Sequence, residues 1–171
     1  MADTLAVDIQ ASLAWLFQDA LDLTTVADVS QLAFARSLAD GTAAGQADKL
    51  WHDRRTIAAG ANDDLDLTAL TQSLFGGTVT IPLAKVKALL VVNTATAAGE
   101  DLEVGGSGGA EWSAPFGAAG DKVKVPADSC LLLVNRVSGW TVTNGAADVL
   151  RIRNAGSGGI DYQIAIVGTS S

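Results

Sequence analysis

The residues of this chain that could do chemistry are concentrated in one stretch, Asp48 to Gly60, with the sequence DKLWHDRRTIAAG. It holds the only histidine, His52, beside Asp53. A histidine next to a carboxylate is a component of metal sites and of Ser-His-Asp relays. A metal site of that type needs more imidazole or thiolate ligands than this chain has, and no serine lies in a G-x-S-x-G elbow. We therefore predict no catalytic residue, no metal site and no cofactor.

Arg54 and Arg55 are the candidate binding groups of the same stretch. They could hold a phosphate, pair with Asp63, Asp64 or Asp66 across a hairpin, or meet an acidic surface on a partner subunit. The pairing across a hairpin is the ordinary case at a strand edge, and the contact with a partner subunit is the functional alternative. Both arginines are included among the predicted partner-binding residues.

The acidic run from Asn62 to Asp66 raises the question of a calcium site, because hard cations bind several converging oxygens. The run lacks the central glycine and the twelfth-position glutamate of an EF-hand loop. Asp64 and Asp66 also alternate with leucines, which places both on the exposed face of one strand. The sequence leaves cation binding at this run open.

The composition excludes several classes of partner. The 171 residues carry a formal net charge of −8, and 49% are hydrophobic, which suffices for the core of one domain with an appendage. An acidic surface repels nucleic acid, and no apolar run approaches the roughly 20 residues of a membrane span. We therefore predict that the chain binds neither nucleic acid directly nor a membrane. The single cysteine, Cys130 in SCLLLVN, is predicted as a buried strand residue without redox chemistry.

The elements that must position these residues are short strands. Beyond residue 48, about ten short apolar runs alternate with turn signals, without the helical segments that βαβ units would need. This spacing predicts an all-β fold, an antiparallel β-sandwich or jelly-roll-like domain with an extended N-terminal segment. The last three runs, WTVTNG, DVLRIRN and IDYQIAIVG, predict an antiparallel meander with one wet face.

The N-terminal segment alternates between apolar and polar residues. The odd positions from Leu5 to Phe17 are apolar, which favours a long strand, although the i, i+4 spacing of several of them also fits an amphipathic helix. A small-residue run from Ala39 to Asp48 suggests a boundary, so we divide the chain into an arm, residues 1–47, and a sandwich domain, residues 48–171. The arm is too short to bury its own apolar face, so that face must dock on the main domain or on another subunit. The predicted contacts of the arm are Leu13, Trp15, Phe17 and Phe34.

Two tryptophans near glycine-containing loops, Trp112 and Trp140, are further candidates. Exposed aromatic rings could anchor a protein or glycan partner, whereas buried ones would be part of the core or its rim. Both are included among the predicted partner-binding residues.

The chain resembles a group of small structural proteins of tailed bacteriophages. The motifs that carry the resemblance are D-x-R-T, D-L-D-L, F-G-x-x-[VI]-T, K-V-K-A and a glycine-rich three-strand finish. The matching positions are Asp53, Arg55 and Thr56; Asp64 to Leu67; Phe75, Gly76, Val79 and Thr80; and Lys85 to Ala88.

The resemblance implies a non-enzymatic virion structural protein, assembled in the cytoplasm of the bacterial host. The resemblance leaves a location on the head or on the tail open. Because a rigid sandwich with an extended arm suits attachment to neighbouring subunits, we predict a capsid decoration or cement protein that binds the assembled head, associates with itself as a homotrimer, and contacts the major capsid protein or another virion protein. The alternatives are a tail or fibre-associated protein that contacts a receptor, and, from a different class, a carbohydrate-binding module. No catalytic residue is implied.

Overall fold

The computed structural model describes residues 4–74 and 76–171, and these residues form an all-β fold, which confirms the predicted fold class. Phe75, one of the positions that carry the resemblance, lies outside the described residues. The strands are β1 (Val7–Ala20), β2 (Thr25–Asp40), β3 (Gln46–Ala47), β4 (Lys49–Ile57), β5 (Asn62–Asp66), β6 (Leu70–Leu74), β7 (Gly77–Ile81), β8 (Lys85–Asn93), β9 (Leu102–Gly105), β10 (Lys122–Val125), β11 (Ser129–Val134), β12 (Trp140–Thr141), β13 (Val149–Asn154) and β14 (Ile160–Thr169).

Two antiparallel sheets form the sandwich. The first has the strand order β10-β9-β13-β5, and the second has the order β11-β8-β14-β4, with β12 paired to β8. The strands β6 and β7 make a separate hairpin. Alternating apolar residues explain the layers, because every second side chain of a strand points to the same face.

The core lies between the two sheets. The first sheet contributes Leu65, Val104 and Ile152, and the second contributes Leu89 and Ile166, all of them buried. Burying a side chain of this size contributes about 1.5–3 kcal/mol. The sandwich domain therefore has a core of its own, independent of the N-terminal strands.

The predicted C-terminal meander is wrong. β12 pairs with β8, β13 lies between β9 and β5 in the first sheet, and β14 lies between β8 and β4 in the second. The alternation of a strand specifies its faces but not its neighbours, and here the turns carry the chain from one sheet to the other.

The N-terminal segment is a long β-hairpin, so the choice between strand and helix is decided in favour of the strand. β1 pairs antiparallel with β2 over the whole length of β1, from Val7 opposite Leu38 to Ala20 opposite Thr25. The amide of Leu21 donates to the carbonyl of Thr24, 2.8 Å away, and closes the turn. A boundary at residue 47 stays a prediction.

The base of the hairpin is fixed to the outer face of the second sheet. Ile9 and Leu38 are buried there with Ala88 and Val167 in a second apolar cluster. Arg136 Nε also donates to the carbonyl of Ser37 at 2.9 Å. The hairpin is thus attached at one end, which sets the direction in which the rest of it extends.

Candidate binding surface on the N-terminal hairpin

The hairpin beyond its base is exposed on both faces. Every residue from 10 to 37 is exposed. At about 3.4 Å per residue, residues 10–20 extend roughly 35 Å past Ile9. A two-stranded ribbon of this length is at best marginally stable in water by itself and gains stability when one face is covered.

The two faces of the hairpin differ in chemistry. We call the side that carries the odd residues of β1 and the even residues of β2 the apolar face. In the antiparallel register, Ala11 lies opposite Phe34, Leu13 opposite Leu32, and Trp15 opposite Ser30. The other face carries alanine, serine and glutamine, with Leu16 and Val29 as its one pair of large apolar residues.

The four predicted contacts of the arm all lie on the apolar face. Their exposed fractions are 68% for Leu13, 40% for Trp15, 72% for Phe17 and 39% for Phe34. The same face exposes Leu32, at 71%, which the sequence prediction left out. Large side chains at such exposures, adjacent in one sheet, form a contiguous apolar patch, the kind of surface that marks a protein interaction site.

The turn at the end of the hairpin is also apolar. Leu23 is 99% exposed, and Leu21 is exposed beside it. The sequence prediction did not include either residue. In the sequence, two leucines next to a turn look like the end of any strand. Only their position at the tip of the projecting hairpin identifies them as a candidate contact.

Three charged residues border the apolar face. Asp19 and Asp28 lie toward the tip, and Arg36 lies toward the base, opposite Ile9. Trp15 Nε1 donates to Asp28 at 3.2 Å, and the Arg36 guanidinium lies 5.0 Å from the centre of the Phe34 ring. The apolar face therefore has an acidic end and a basic end.

The stretch from Asp48 to Gly60 forms β4 and its following turn. His52 is exposed, and its Nε2 lies 3.1 Å from Gln72 Nε2. Asp53 bonds to the amide of Arg54 and to Arg55 Nη1 instead of to His52. The histidine and the carboxylate therefore do not form the pair that a catalytic relay would need.

Arg54 and Arg55 both find their partners within the chain. Arg54 Nη2 pairs with Asp161 at 3.0 Å on the neighbouring strand β14. Arg55 makes a two-pronged contact with Asp63 and a further bond to Asp53 at 3.0 Å. The interpretation of these arginines as partner-binding groups is not supported, because their charges are matched by carboxylates of their own subunit.

Asp63 joins Arg55 to a buried tyrosine. Tyr162 donates its hydroxyl to Asp63 Oδ2 at 2.8 Å, from a side chain that is fully buried. The hydrogen bond to Asp63 raises the pKa of Arg55 above its usual range. Burial, followed by the bond to Asp63, raises the pKa of Tyr162 well above the ordinary value of about 10.

Tyr162 gives a prediction about alkaline unfolding. Above about pH 10 the unfolded chain would lose the tyrosine proton while the folded chain keeps it, so the free energy of unfolding should fall as pH rises beyond that point. Tyr162 is the only tyrosine in the chain. The ultraviolet absorbance of tyrosinate should therefore appear together with the loss of strand circular dichroism. Tyrosinate absorbance in a chain that is still folded would contradict the prediction.

The oxygens of the acidic run do not converge on one point. Asp63 faces Arg55 and Tyr162, whereas Asp64 pairs with Arg151 on the neighbouring strand, and that hydrogen bond lowers the pKa of Asp64. Asp66 accepts bonds from the amide and the hydroxyl of Thr68. Within residues 4–74 and 76–171, no group of three or more histidine, cysteine or acidic residues is arranged to hold a metal.

Trp112 is buried, which agrees with the alternative that it belongs to the core and does not support its inclusion among the partner-binding residues. Its side chain is 1% exposed, its Nε1 donates to the carbonyl of Thr141 at 3.0 Å, and its ring makes edge contacts with Phe116 and Trp140. Trp140 is half-buried at the rim of the same cluster. The loop around Trp112 folds back across the end of the sandwich, so these rings close the core.

Cys130 also differs from its prediction. It is exposed, because Leu131 and Leu133 on either side of Leu132 point into the core and leave the alternate positions of β11 on the outer face of the sheet. The residues from Cys130 to Val134 are all apolar, so the sequence did not indicate which of these positions face the core.

In the described part of the chain there is no helix long and apolar enough to cross a membrane.

Comparison with known proteins identifies no relative of this chain. No protein-family model, no curated protein and no solved structure matches the chain.

Proposed function

We propose that this chain is a non-enzymatic structural subunit that joins a protein assembly through the apolar face of its hairpin. The observation that carries the proposal is the exposure of that face, with Leu13, Phe17 and Leu32 each about 70% open to solvent. Monomeric proteins rarely leave a contiguous apolar patch uncovered, and uncovered patches mark interaction sites or aggregation hazards. A covered face would also stabilise the hairpin itself.

The sandwich suits the role of a rigid support. Its buried side-chain polar atoms all have hydrogen-bond partners in the described residues. The two arginines of β4, Arg54 and Arg55, form ion pairs with Asp161 and Asp63 respectively. Such a body holds the base of the hairpin in a fixed orientation, which a docking element needs.

The setting that we propose is the virion of a tailed bacteriophage. The support for it is the resemblance of the sequence to small structural proteins of these phages, in motifs such as Asp64 to Leu67 and Lys85 to Ala88. In this setting the chain is a decoration or cement protein on the assembled head, with the major capsid protein or another virion protein as its partner. A tail or fibre-associated subunit is the alternative within the same class. A glycan-binding module is less well supported, because Trp112 is buried and cannot form part of an aromatic platform.

The proposal predicts that polar substitutions on the apolar face abolish incorporation into particles. Leu13 and Leu32 lie opposite each other in the middle of that face, so the double variant Leu13→Asp with Leu32→Asp places two charges at its centre. We expect at least about a tenfold loss of binding to particles that lack the chain, because central interface residues dominate affinity. The measurement is the number of copies per particle by quantitative mass spectrometry after incubation with purified protein.

The matched control is the double variant Ser12→Asp with Ala33→Asp. These residues are also opposite each other and exposed, but on the other face of the hairpin. The control should be incorporated like the unchanged chain. Equal incorporation of both double variants would contradict the proposed role of the apolar face. A copy number that follows the capsomers would support decoration, and a handful of copies per particle would indicate the tail.

A further inference from the structure

We propose that the apolar face of one copy's hairpin lies across an uncovered part of the second sheet of another copy, so that copies join head to tail. This inference rests on the proposed function, since it names a partner of the hairpin. It is carried by a contact that the chain already makes with itself, because the base of the hairpin covers the adjacent part of the same sheet face.

The outer face of the second sheet is organised in rows that run across its strands. In one row, Ala88 and Val167 lie side by side and are covered by Ile9 and Leu38 of the hairpin base. We call the next two rows on β11, β8 and β14 the outer band, which therefore continues the surface that the base already covers. Its members are Leu132, Leu90 and Ala165 in one row and Cys130, Val92 and Gln163 in the other.

The outer band is largely apolar and open to solvent. Leu90 is 36% exposed and Cys130 is exposed, whereas Leu132 packs at its edge against the cluster under the hairpin base. Outside the hairpin, five large apolar side chains of the described residues are exposed, and two of them, Leu50 and Leu90, lie on this face of the second sheet. Uncovered apolar side chains beside a covered apolar row indicate a further contact.

A groove in this surface suits the large side chains of the hairpin. Ala165 is the smallest residue of its row and lies between Leu90 and His52. The groove at this point has a volume of about 310 Å³. Phe17 and Trp15 project from the apolar face of the hairpin, 72% and 40% exposed. Large side chains set against small ones are what close-packed layers require.

The hairpin also matches the outer band in its dimensions. Strands lie about 4.8 Å apart, so the four strands from β11 to β4 span about 19 Å, the length of roughly six hairpin residues. Side chains on one face of a strand repeat about every 6.8 Å, so two rows occupy about 13 Å, close to the roughly 10 Å width of two paired strands. The hairpin therefore fits across the outer band with its strands crossing those of the sheet, as in orthogonal sheet packing.

The charges are compatible with this contact. The apolar face carries Asp19 and Asp28 toward its tip, and residues 15–30 include no basic residue. The outer band has no carboxylate, in a chain with 19 aspartates and glutamates, and His52 and Arg54 border it on β4. Arg54 already pairs with Asp161. The favourable point is therefore the absence of repulsion between the acidic tip and the surface that it meets.

The hairpin does not cover the outer band of its own chain. Every residue from 10 to 37 is exposed, so beyond its base the hairpin leaves the sheet instead of lying along it. A head-to-tail contact uses the hairpin of one copy and the outer band of the next, and it leaves the hairpin base of both copies in place. Such contacts close into a ring when the rotation between copies permits. A ring of three, the number predicted from the sequence, uses every hairpin and every outer band.

The contact is small, so ring closure contributes to its strength. The footprint of the hairpin on the outer band is roughly 250 Å² on each partner, less than the 1,200–2,000 Å² in total that stable pairwise interfaces bury. We therefore expect a single contact to be weak. A closed ring gives each copy two contacts, and the second forms at the high effective concentration that the first creates.

Disulfide trapping tests the contact, because Cys130 in the outer band is the only cysteine of the chain. One protein carries Cys130→Ser with Ala11→Cys, Ser30→Cys or Leu32→Cys on the apolar face, and the other is the unchanged chain labelled with heavy nitrogen. Under mild oxidation, at least one of the three should link to the labelled chain about tenfold faster than the matched variant Ser12→Cys, which lies on the other face. Mass spectrometry of the linked peptides identifies both chains.

Complementation between two variants tests the head-to-tail arrangement. The double variant Leu13→Asp with Leu32→Asp removes the hairpin contact, and Leu90→Asp removes the outer-band contact, so each alone should associate at least about tenfold more weakly than the unchanged chain. A mixture keeps one intact hairpin and one intact outer band. It should form a heterodimer of twice the 17.4 kDa chain mass and nothing larger. Sedimentation velocity over a concentration series measures these species.

Val123→Asp is the matched control for Leu90→Asp, because Val123 is also 36% exposed but lies on β10 of the first sheet. It should associate like the unchanged chain. Circular dichroism establishes that each variant is folded, and the disulfide test uses an unaltered outer band if Leu90→Asp does not fold.

Several results would overturn the inference. They are equal linking from both faces of the hairpin, hairpin cysteines that link only to each other, a Leu90→Asp variant that associates like the unchanged chain, and an unchanged chain that stays monomeric at every concentration. None of them would contradict the proposed function if the Leu13 and Leu32 double variant still fails to enter particles. The hairpin would then dock on a different protein.

Discussion

Replacing Trp112 with alanine should lower the free energy of unfolding by about 3–5 kcal/mol, the usual cost of truncating a large buried aromatic residue. The indole is 1% exposed and packs edge-on against Phe116 and Trp140, with ring centres 6.4 and 6.3 Å away. Its removal leaves a cavity at the end of the sandwich and takes the donor from the Thr141 carbonyl. Urea unfolding followed by far-ultraviolet circular dichroism measures the change.

Trp15→Ala is the matched control, because it removes the same side chain from the exposed hairpin. Trp15 is 40% exposed and lies outside the core between the sheets. Its replacement should change the unfolding free energy by about 0.5 kcal/mol or less when both proteins are diluted enough to suppress association between copies. Equal effects of the two substitutions would show that Trp112 does not belong to the core.

Replacing Asp63 with alanine should have the second largest effect, a loss of about 2–3 kcal/mol in unfolding free energy. The change leaves the hydroxyl of the buried Tyr162 without its acceptor and removes two bonds to Arg55. The expected loss is smaller than for a fully buried pair, because Arg55 keeps its bond to Asp53 and part of its contact with water. Chemical denaturation near neutral pH gives the value.

The neighbouring carboxylate provides the control for this prediction. Asp64 pairs with Arg151 on the surface, and such exposed pairs contribute about 1 kcal/mol or less. Asp64→Ala should therefore be nearly neutral. In a background with Tyr162→Phe, the cost of Asp63→Ala should shrink, because the tyrosine hydroxyl is no longer present to be left unpaired. An unchanged cost in that background would show that the hydroxyl and the carboxylate do not interact.

The local sequence predicted which side chains of a strand face the core and which face solvent. Most of the wrong predictions concern which strand or segment lies next to a given strand. The alternation in DLDL placed Asp64 outside and Leu65 inside, as the structure has them. The same kind of pattern did not predict that β13 and β14 lie in different sheets. Pairing partners depend on which edges the turns bring together, and this information is not contained in any one strand.

How well the surroundings of each candidate residue could be predicted depended on how far along the chain its contacts lie. Arg54 and Arg55 were correctly considered for strand-edge ion pairs, and Asp63 was named as a possible partner, but Asp161 and Tyr162 lie about a hundred positions further along the chain. Trp112 lies in a segment without strand periodicity, so its neighbours in the sequence did not decide between an exposed position and a place in the core. For Cys130 the uniform hydrophobicity of β11 concealed which side of the strand faces solvent.

By itself, the sequence determined that this protein is an all-β sandwich whose N-terminal segment carries an apolar face larger than that segment can bury. Those properties follow from alternation, turn residues and length, all of which are local. The tertiary structure decided that β1 and β2 pair into one projecting hairpin, and that Leu13 lies opposite Leu32 while Arg36 and Asp28 occupy its two ends. These positions depend on the tertiary structure because the register of the hairpin is fixed by its turn at Leu21 to Thr24 and by the packing of Ile9 and Leu38 on the second sheet.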